Sequence, residues 1–521
     1  MADKSNERGL KRRDFIKRAV ATAGVATLVG FGVTESNAKE NICGVPSKWD
    51  KTTDVVIVGS GGAGLFAAIE AYDAGAKVIV LESMPTTGGA TRICGAATAA
   101  SNSMLQKEKG FKDSEDTFYK DVIKNGEYAN IKELARVVVD KSGETVDLLI
   151  KFGAKCKDIR PYLGHTATRV HQFESANEYI KALESEVKKR GIPILTQTKL
   201  TRLFVKFNEQ LDFNTKVVVG VEALTSKGKK ISIKSKKGVV LATGGFAGDS
   251  GMIDRYSPMY IGALTQGAPG CTGDGLIQAM RFGADCTHLN FIGSYPLGLQ
   301  VVPGSRNGVF CRSYNFTALG GIYVNKEGLR FVLEDMAPTH ITDYLVKQTD
   351  KAMYVICDSI MWEKGNSSMA PTVIGWSKEQ FIEAVKKGTI GAEANSIEEL
   401  AGKVGIDPAG LKKTVSEYNS FVAKKQDTMF GRSAKALKAM IEKPPFYVVK
   451  TFPIVPLVVG GLRINPRSQV VDVNGNIFPH LYAAGEVTGG TAGSYYMGGL
   501  NTIAAFVSGR VAGKNVAGEK A

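Results

Sequence analysis

The residues most clearly suited to a chemical role form a glycine-rich turn near the start of the chain, followed by an acidic residue. Gly59, Gly61 and Gly64 follow a short apolar run and open a helical pattern. Gly59 permits a tight turn, Gly61 lets the backbone approach a pyrophosphate, and Gly64 lets the helix approach the strand. N–H groups at a helix N-terminus favour phosphate. Glu82 ends the next apolar run, where a carboxylate can accept hydrogen bonds from an adenosine ribose. The spacing therefore predicts a dinucleotide site.

Three later segments predict that the chain returns to this first domain. Residues 88–95 form a second turn of small residues, and 237–245 an apolar strand that ends in Thr-Gly-Gly. Residues 480–490 form a further strand and glycine turn, and 494–513 a glycine turn with a helical pattern. The middle of the chain is therefore interpreted as an insertion.

The composition of the chain limits the classes of protein to which it can belong. The chain has 521 residues, of which 44% are hydrophobic and 22% charged, as in soluble globular proteins. The net charge of +15 is interpreted as a solvated basic surface, because no nucleic-acid motif accompanies it. The seven cysteines and five histidines show no metal-ligand spacing, no haem-attachment motif and no ferredoxin-type run. A disulfide is left open.

The first 38 residues resemble an export signal. Lys11, Arg12 and Arg13 begin a twin-arginine pattern, a weakly apolar stretch follows, and small residues up to Ala38 suit a signal peptidase. The alternative is a membrane anchor, but the apolar stretch is short and rich in glycine. No later segment predicts a membrane span. The mature protein is therefore expected in a bacterial periplasm.

Four motifs carry a family resemblance: ATGG at 242–245, TGDG at 272–275, AAGEVTGG at 483–490 and GGLN at 498–501. With them, residues 52–521 resemble the flavoprotein family of soluble periplasmic fumarate reductases. That family includes flavocytochrome c, urocanate and acrylate-type reductases and, more distantly, 3-ketosteroid dehydrogenases.

The resemblance implies an α/β fold, in which a Rossmann-like FAD-binding domain carries an inserted α+β capping domain. It assigns residues 52–289 and 457–521 to the FAD-binding domain, and 290–456 to the capping domain. Within the cap, a hairpin is expected at 320–334 and a helical stretch at 377–424.

The resemblance also implies where FAD binds. Backbone N–H groups at the start of the last helix are expected to face the N1–C2=O edge of the flavin. FAD is expected to be non-covalent, because 83–87 lacks the histidine that membrane-bound relatives use, and neither haem nor an iron–sulfur cluster is expected. The implied cofactor residues are Gly59, Gly61, Gly64, Glu82, Ala90, Thr91, Gly95, Ala96, Asp274, Glu486, Asn501 and Thr502.

The chain departs from fumarate reductases where that family binds two carboxylates. Tyr295 and Leu457 occupy positions where the family has histidines. The pair Ser313-Tyr314 occupies the position of the family's Thr-Glu pair. Pro338 and Tyr496 occupy positions where the family has arginines. Each cationic site would offer charge-assisted hydrogen bonds of about 1.5–3 kcal/mol. We therefore predict weak or absent fumarate reduction.

The remaining tyrosines resemble those of 3-ketosteroid dehydrogenases, which transfer protons and polarise a carbonyl. Tyr295 and Tyr496 are interpreted as the proton-transfer candidates, although tyrosines at such positions can also simply pack a domain interface. Tyr314 and Tyr495 are candidate substrate contacts. Arg312 is interpreted as a residue that binds one carboxylate or supplies the proton, and Arg463 is either near the cleft or on the surface. Backbone N–H groups of Gly498 and Gly499 are expected to hold a developing enolate oxygen.

These observations predict a periplasmic FAD oxidoreductase that acts on a C–C single or double bond next to an electron-withdrawing group. The expected substrate is an aryl-acrylate, a steroid-like enone or another enoate. Electrons are expected from a separate c-type cytochrome or a quinol-linked protein. One alternative is a reductase of fumarate or of a small monocarboxylate such as acrylate, methacrylate or urocanate. The other is an electron-transfer flavoprotein without a substrate of its own.

Overall fold

The centre of the fold is a parallel sheet around the strand that precedes the glycine-rich turn. In the computed structural model, Lys51–Val58 pairs in parallel with Val78–Leu81 on one side and with Lys230–Leu241 on the other. The end of this strand, from Val55 to Val58, is completely or almost completely buried, as expected for a parallel sheet covered on both faces. The turn therefore lies at the carboxyl edge of the strands, where ligands bind in open α/β sheets.

The structure describes residues 44–207, 216–367, 372–495 and 497–520. Within these ranges the first sheet contains Lys51–Val58, Val78–Leu81, Ile194–Leu195, Thr198–Phe207, Lys216–Thr225, Lys230–Leu241, Gln469–Val471 and Ile477–Ala483. The second sheet contains Leu264–Thr265, Ile292–Leu299, Val309–Phe310, Ile322–Val324, Met353–Cys357, Gly391–Ala394 and Phe446–Val458. Two small sheets contain Ala97–Ala99, Cys156–Arg160 and Val170–Phe173, and Cys286–Thr287 with Gly461–Leu462.

Helices surround these sheets. The α-helices are Gly62–Asp73, Gly89–Arg92, Met104–Glu108, Glu115–Asn125, Lys132–Asp140, Ser142–Lys151, Ala176–Lys189, Ser250–Tyr256, Asp274–Met280, Tyr314–Thr317, Pro338–Leu345, Ser359–Asn366, Lys378–Lys386, Ile397–Val404, Pro408–Lys424 and Leu500–Ala517. Short 3₁₀ helices are Pro258–Tyr260, Thr349–Lys351 and Gly485–Val487. Among the described helices, none combines the length and the apolar character that a membrane crossing requires.

The sequence prediction of an α/β fold is confirmed. The strand Phe446–Val458 is central to the second sheet: it pairs with Ile292–Leu299 and Met353–Cys357, and the backbone N–H of its last residue donates to the Glu486 carboxylate. Lys48–Ala521 forms one compact unit. The division into an FAD-binding domain and a cap stays a prediction.

Two expectations for the inserted segment differ in detail from the structure. The stretch 377–424 is not continuously helical, because the strand Gly391–Ala394 lies between its helices and pairs with Phe446–Val458. Gly391 allows this pairing, since a Cβ there would collide with the backbone carbonyl of Val448. The hairpin at 320–334 is reduced to the strand Ile322–Val324 and a tight turn, because this strand pairs mainly with Met353–Cys357.

The first helix, Gly62–Asp73, packs closely against the last helix, Leu500–Ala517. A Cβ on Gly509 would collide with the carbonyl of Ala63, and a Cβ on Gly513 with the carbonyl of Ala67. These two glycines, four residues apart on one helix face, therefore allow the backbones to touch. The contact places Phe506 of the last helix against Gly62 of the glycine-rich turn.

Candidate functional site

One cavity of about 1750 Å³ joins the glycine-rich turn to the second sheet. Its walls include Gly59 and Glu82, which directly follow strands of the first sheet, Tyr295 and Phe310 from the second sheet, and Asn501 from the last helix. A single drug-sized ligand occupies a pocket of about 300–1,000 Å³. The cavity therefore has room for a dinucleotide and a second molecule.

The glycine-rich turn has the geometry that a pyrophosphate requires. Gly59 has a φ of +105°, and a Cβ there would collide with the carbonyl of Ala242. A Cβ on Gly64 would collide with the carbonyl of Gly59, so only glycine allows the helix to lie this close to the strand. Gly61 lines the cavity, and a Cβ there would have its nearest atom at 3.8 Å. The turn thus presents open space at the N-terminus of the first helix.

Glu82 lies beside this turn with 5% of its surface exposed. Its Oε2 accepts hydrogen bonds from the backbone N–H of Ser60, at 3.0 Å, and from the Ser60 hydroxyl, at 2.5 Å. Its Oε1 accepts the backbone N–H of Met84 at 2.8 Å. These bonds orient the carboxylate at the cavity wall, and its remaining lone pairs can accept ribose hydroxyls.

The second turn of small residues lies against the first. The Thr91 hydroxyl accepts the backbone N–H of Gly62 at 3.1 Å, which joins the two turns. Ala90 and Gly95 also line the cavity, and a Cβ on Gly95 would meet no atom within 4 Å. A flat ring can therefore lie close to the cavity wall at Ala90 and Gly95.

The start of the last helix faces the same cavity through Asn501 and Thr502. Gly499 precedes the helix with a φ of +78°, and a Cβ there would collide with the backbone of Ala99. A helix N-terminus carries partial positive charge and unpaired N–H groups, which stabilise the negative charge of a reduced flavin. The residues of both turns and of this helix therefore fit FAD.

Two acids complete the cofactor end of the cavity. Asp274 lies 3.0 Å from the Lys199 ammonium and accepts the Thr272 hydroxyl at 2.9 Å. Glu486 is half-buried at the cavity wall and accepts the backbone N–H of Val458 at 2.9 Å. Burial raises the pKa of Glu486 to about 7, because the carboxylate form loses its hydration.

The raised pKa of Glu486 predicts a pH-dependent stability. Relative to a Glu486→Gln variant, the wild type should lose stability as the pH rises from 5 to 8, because the unfolded carboxyl ionises more readily than the buried one. The relative loss should be on the order of 2 kcal/mol. Urea unfolding of both proteins at several pH values measures it. A difference that stays constant from pH 5 to 8 would contradict the prediction.

Not every residue that the sequence assigned to the site reaches the cavity. Gly64 lies under the turn, and Ala96 and Gly499 are also absent from the wall. Gly64 and Gly499 contribute close backbone packing instead, since neither has room for a Cβ. Arg463 lies outside the cavity and pairs with Asp285 at 3.1 Å, so the surface interpretation is correct for it.

The other end of the cavity contains the aromatic and cationic candidates. The Tyr295 ring packs edge-on against the Phe310 ring, with centroids 5.4 Å apart. Arg312 and Tyr314 both line this region, and partial burial raises the pKa of the Tyr314 hydroxyl although the nearby Arg312 guanidinium opposes the rise. Leu457 also lines this region, at a position where fumarate reductases are expected to have a cation.

Tyr495 is held from two sides at this wall. Its hydroxyl donates to Asp343 Oδ2 at 2.8 Å, and burial is the main reason that its pKa is raised. The His340 ring packs edge-on against the Tyr495 ring, with centroids 4.5 Å apart. Gly498 is also at the wall. Tyr496, the other proton-transfer candidate, lies outside the described residues, as do residues 1–38 with the export pattern and Cys43.

At the substrate end of the cavity, sequence reasoning missed three residues that carry imidazole or guanidinium groups. His165 Nε2–H donates to the Gly498 carbonyl at 2.9 Å, and burial lowers its pKa to about 4, so the ring is neutral near pH 7. His340 and Arg160 are the others, and the Arg160 guanidinium lies 5.5 Å from the centre of the Tyr162 ring. The histidines lack metal spacing, and no local signal marks any of the three as a cavity residue. The wall is thus less purely aromatic than the sequence suggested.

The described cysteines are free thiols: Cys94, Cys156, Cys271, Cys286, Cys311 and Cys357. Within the described ranges, no group of histidine, cysteine and acidic residues has the arrangement of a metal site.

Comparison with known proteins agrees with this geometry. A family model described as an FAD binding domain matches residues 54–502. The chain is 32% identical over 527 residues to an acrylate reductase flavoprotein subunit of Shewanella woodyi, which covers 98% of this chain and 99% of the relative. It is 31% identical over 471 residues to an NADH:fumarate oxidoreductase of Klebsiella pneumoniae, covering 90% of this chain but only 48% of that longer relative.

Two solved structures share the fold. A flavocytochrome c3 fumarate reductase in an open conformation has a TM-score of 0.75 and 28% identity, covering 99% of this chain and 83% of that one. A 3-ketosteroid-Δ4-(5α)-dehydrogenase from Rhodococcus jostii, in complex with 4-androstene-3,17-dione, has a TM-score of 0.71 and 25% identity, covering 91% and 98%. With the family model matching most of its length, the chain belongs to the FAD-dependent oxidoreductases of the fumarate reductase family, which act on CH–CH bonds.

Proposed function

We propose that the protein reduces the double bond of an α,β-unsaturated monocarboxylate that carries an apolar or aromatic substituent. The observation that carries this proposal is the composition of the cavity beyond the cofactor residues. Arg312 and Tyr314 offer a cationic, hydrogen-bonding site, while Tyr295, Leu457 and Tyr495 offer aromatic and aliphatic surface. Arg160, the further cavity arginine, lies over the Tyr162 ring. A molecule with one carboxylate and an apolar body matches this division.

The mouth of the cavity supports the apolar part of the proposal. Tyr162 and Leu163 from one side, and Tyr314 and Ile374 from the other, line the cavity while remaining exposed to solvent. Exposed apolar side chains that cluster around a pocket are typical of ligand-binding surfaces. Covering them with a phenyl or alkyl group would contribute about 25 cal/mol per Å² of buried apolar surface.

Each residue then has a defined task. The Arg312 guanidinium, with five donors in a planar fork, binds and orients the carboxylate beside the Tyr314 hydroxyl. Bound FAD supplies hydride chemistry at the carbon–carbon double bond. The Tyr295 hydroxyl holds the proton for the α-carbon, and Tyr496 is the second candidate for this role from the sequence. The aromatic wall excludes water from the reacting atoms.

The proposal extends to location and partner. The twin-arginine pattern supports export to the periplasm. No haem-attachment motif occurs in the sequence, so the electrons would come from a separate c-type cytochrome or a quinol-linked protein. The basic net charge of +15 would favour an acidic partner.

A second candidate is a reductase of a small monocarboxylate such as acrylate. The observation that favours it is the match over nearly the full length of both chains to the acrylate reductase flavoprotein subunit. The same arginine would bind the carboxylate, and the apolar mouth would then remain empty.

One experiment separates these candidates. The FAD-loaded protein is reduced with a viologen dye, and its reoxidation is followed with cinnamate, acrylate, urocanate, fumarate and a steroid enone. We expect the highest kcat/KM with cinnamate and the lowest with fumarate. Highest efficiency with acrylate would establish the second candidate, and rapid turnover of fumarate would overturn the assignment of a single carboxylate site. Reoxidation by a cytochrome alone, with every organic acceptor inert, would indicate an electron-transfer protein.

Replacement of Arg312 by alanine should raise the KM for cinnamate and for acrylate by about 10- to 100-fold, because a charge-assisted hydrogen bond contributes about 1.5–3 kcal/mol. The KM for a neutral enone should stay within about twofold. Steady-state kinetics of the variant with each acceptor measure the effect. Arg463→Ala is the matched control, because Arg463 lies outside the cavity. Equal KM changes for charged and neutral acceptors would remove Arg312 from the carboxylate site.

A further inference from the structure

The carboxylate of Asp343 lies behind the cavity wall and joins two tyrosines from distant parts of the chain. Its Oδ1 accepts the Tyr260 hydroxyl at 2.8 Å, and its Oδ2 accepts the Tyr495 hydroxyl at 2.8 Å. Tyr495 lines the cavity, whereas Asp343 and Tyr260 do not. Hydrogen bonds to an ionised acceptor are stronger than neutral ones, so this bridge holds both hydroxyls in place.

The helix Pro338–Leu345 contacts Tyr495 at a second point. His340 lies three residues before Asp343, so both side chains project from the same helix face. The His340 ring packs edge-on against the Tyr495 ring at 4.5 Å between centroids, a distance at which aromatic rings attract one another. One helix face therefore fixes Tyr495 by its ring and by its hydroxyl.

The hydrogen-bond network around Asp343 also includes the residue before Tyr295. The Ser294 hydroxyl donates to the Tyr260 hydroxyl at 3.1 Å, and Ser294 is buried. Ser294 immediately precedes Tyr295, which lines the cavity from the strand Ile292–Leu299. Tyr495 thus bonds the carboxylate directly, and Tyr260 joins the same carboxylate to the buried Ser294, the residue before Tyr295.

From this arrangement we propose that Asp343 is a positioning residue, which fixes Tyr495 and His340 at the substrate-facing wall without touching the substrate itself. Removal of the carboxylate leaves the Tyr495 hydroxyl without its charged acceptor and permits other rotamers of the ring. The His340 ring, which packs on that tyrosine, would lose its position as well. Loss of the Asp343 carboxylate should therefore raise KM more than it lowers kcat. The kinetic part of this inference rests on the proposed function.

A double-mutant cycle in the FAD-loaded protein tests the proposal. Asp343→Ala and Tyr495→Phe should each raise the KM for cinnamate by about tenfold, with kcat changed by less than about threefold. The double variant should be no worse than the more affected single variant, because both changes remove the same interaction. Asp343→Asn, which keeps one acceptor oxygen, should recover part of the loss. Tyr260→Phe is the matched control, because it removes the other hydroxyl on this carboxylate and leaves Tyr495 bound.

Independent effects that multiply in the double variant would overturn the proposal, as would an Asp343→Ala variant with a lower melting temperature and an unchanged KM. Hydrogen exchange gives a readout that needs no substrate. Asp343→Ala should speed amide exchange in peptides that contain Tyr495, and Tyr260→Phe should not. If the wild type reduces no enoate but this exchange pattern holds, the proposed function fails and the positioning role stands. Unchanged exchange in Asp343→Ala would overturn the positioning role itself.

Discussion

Exchange of Tyr295 for phenylalanine is expected to lower the kcat of enoate reduction by about 10²–10⁴, the usual contribution of general acid catalysis. The ring should stay in place, because its edge-on contact with Phe310 does not involve the hydroxyl. The hydroxyl is the only group lost, so a large decrease would reflect proton transfer rather than packing. Stopped-flow reoxidation of the viologen-reduced protein by cinnamate measures the rate.

Two further variants make this result interpretable. Tyr128→Phe is the control, because Tyr128 is exposed and does not line the cavity. Tyr496→Phe tests the second sequence candidate by the same measurement. If Tyr295→Phe turns over at nearly the wild-type rate while Tyr496→Phe is slow, the proton comes from Tyr496. Nearly normal rates in both would assign these tyrosines to packing and leave the Arg312–Tyr314 pair as the next candidate donor.

The largest expected effect on stability belongs to Arg169, whose side chain is completely buried. Its Nε and Nη2 each lie 2.9 Å from an oxygen of Asp113, and its Nη1 lies 2.5 Å from Asp121. Replacement by methionine would leave two carboxylates buried without a counter-charge. Removal of one partner from a buried ion pair costs about 3–5 kcal/mol, and we expect Arg169→Met to lose at least this free energy of unfolding.

Urea unfolding compares this variant with Arg136→Met. Arg136 pairs with Asp116 at 2.6 Å, but its side chain is 41% exposed, and exposed pairs contribute about 0–1 kcal/mol. A loss below about 1 kcal/mol in Arg169→Met would show that the buried carboxylates find other partners or become protonated. Because Asp121 also accepts the backbone N–H of Thr166, next to the cavity residue His165, the variant should also weaken substrate binding.

Some features of this protein follow from short stretches of sequence. The glycine-rich turn, Glu82 and the start of the last helix are recognisable because each needs particular residue types at fixed local spacing. Gly59 requires a positive φ, Gly64 requires the absence of a Cβ, and both needs are visible in the sequence. The cofactor end of the cavity was therefore largely predictable, apart from Gly64 and Ala96, which lie away from its wall.

The substrate end was only partly predictable. The aromatic positions Tyr295, Tyr314 and Tyr495 were inferred from the family pattern, and each lines the cavity. His165 and His340 carry no periodic or spacing signal in the sequence that would mark them as cavity residues. Each becomes a cavity residue through contacts with residues more than 150 positions away in the chain, at Gly498 and Tyr495.

The sequence by itself determined the glycine-rich turn and the positions in it where only glycine fits, because these demands concern short stretches of chain. The tertiary structure alone decided which polar groups meet behind the wall. Asp343 joins Tyr260 and Tyr495, and Gly509 lies against the carbonyl of Ala63, only after strands and helices have packed. Such pairings depend on the three-dimensional path of the whole chain, and side chains brought together in this way leave no mark at a fixed separation in the sequence.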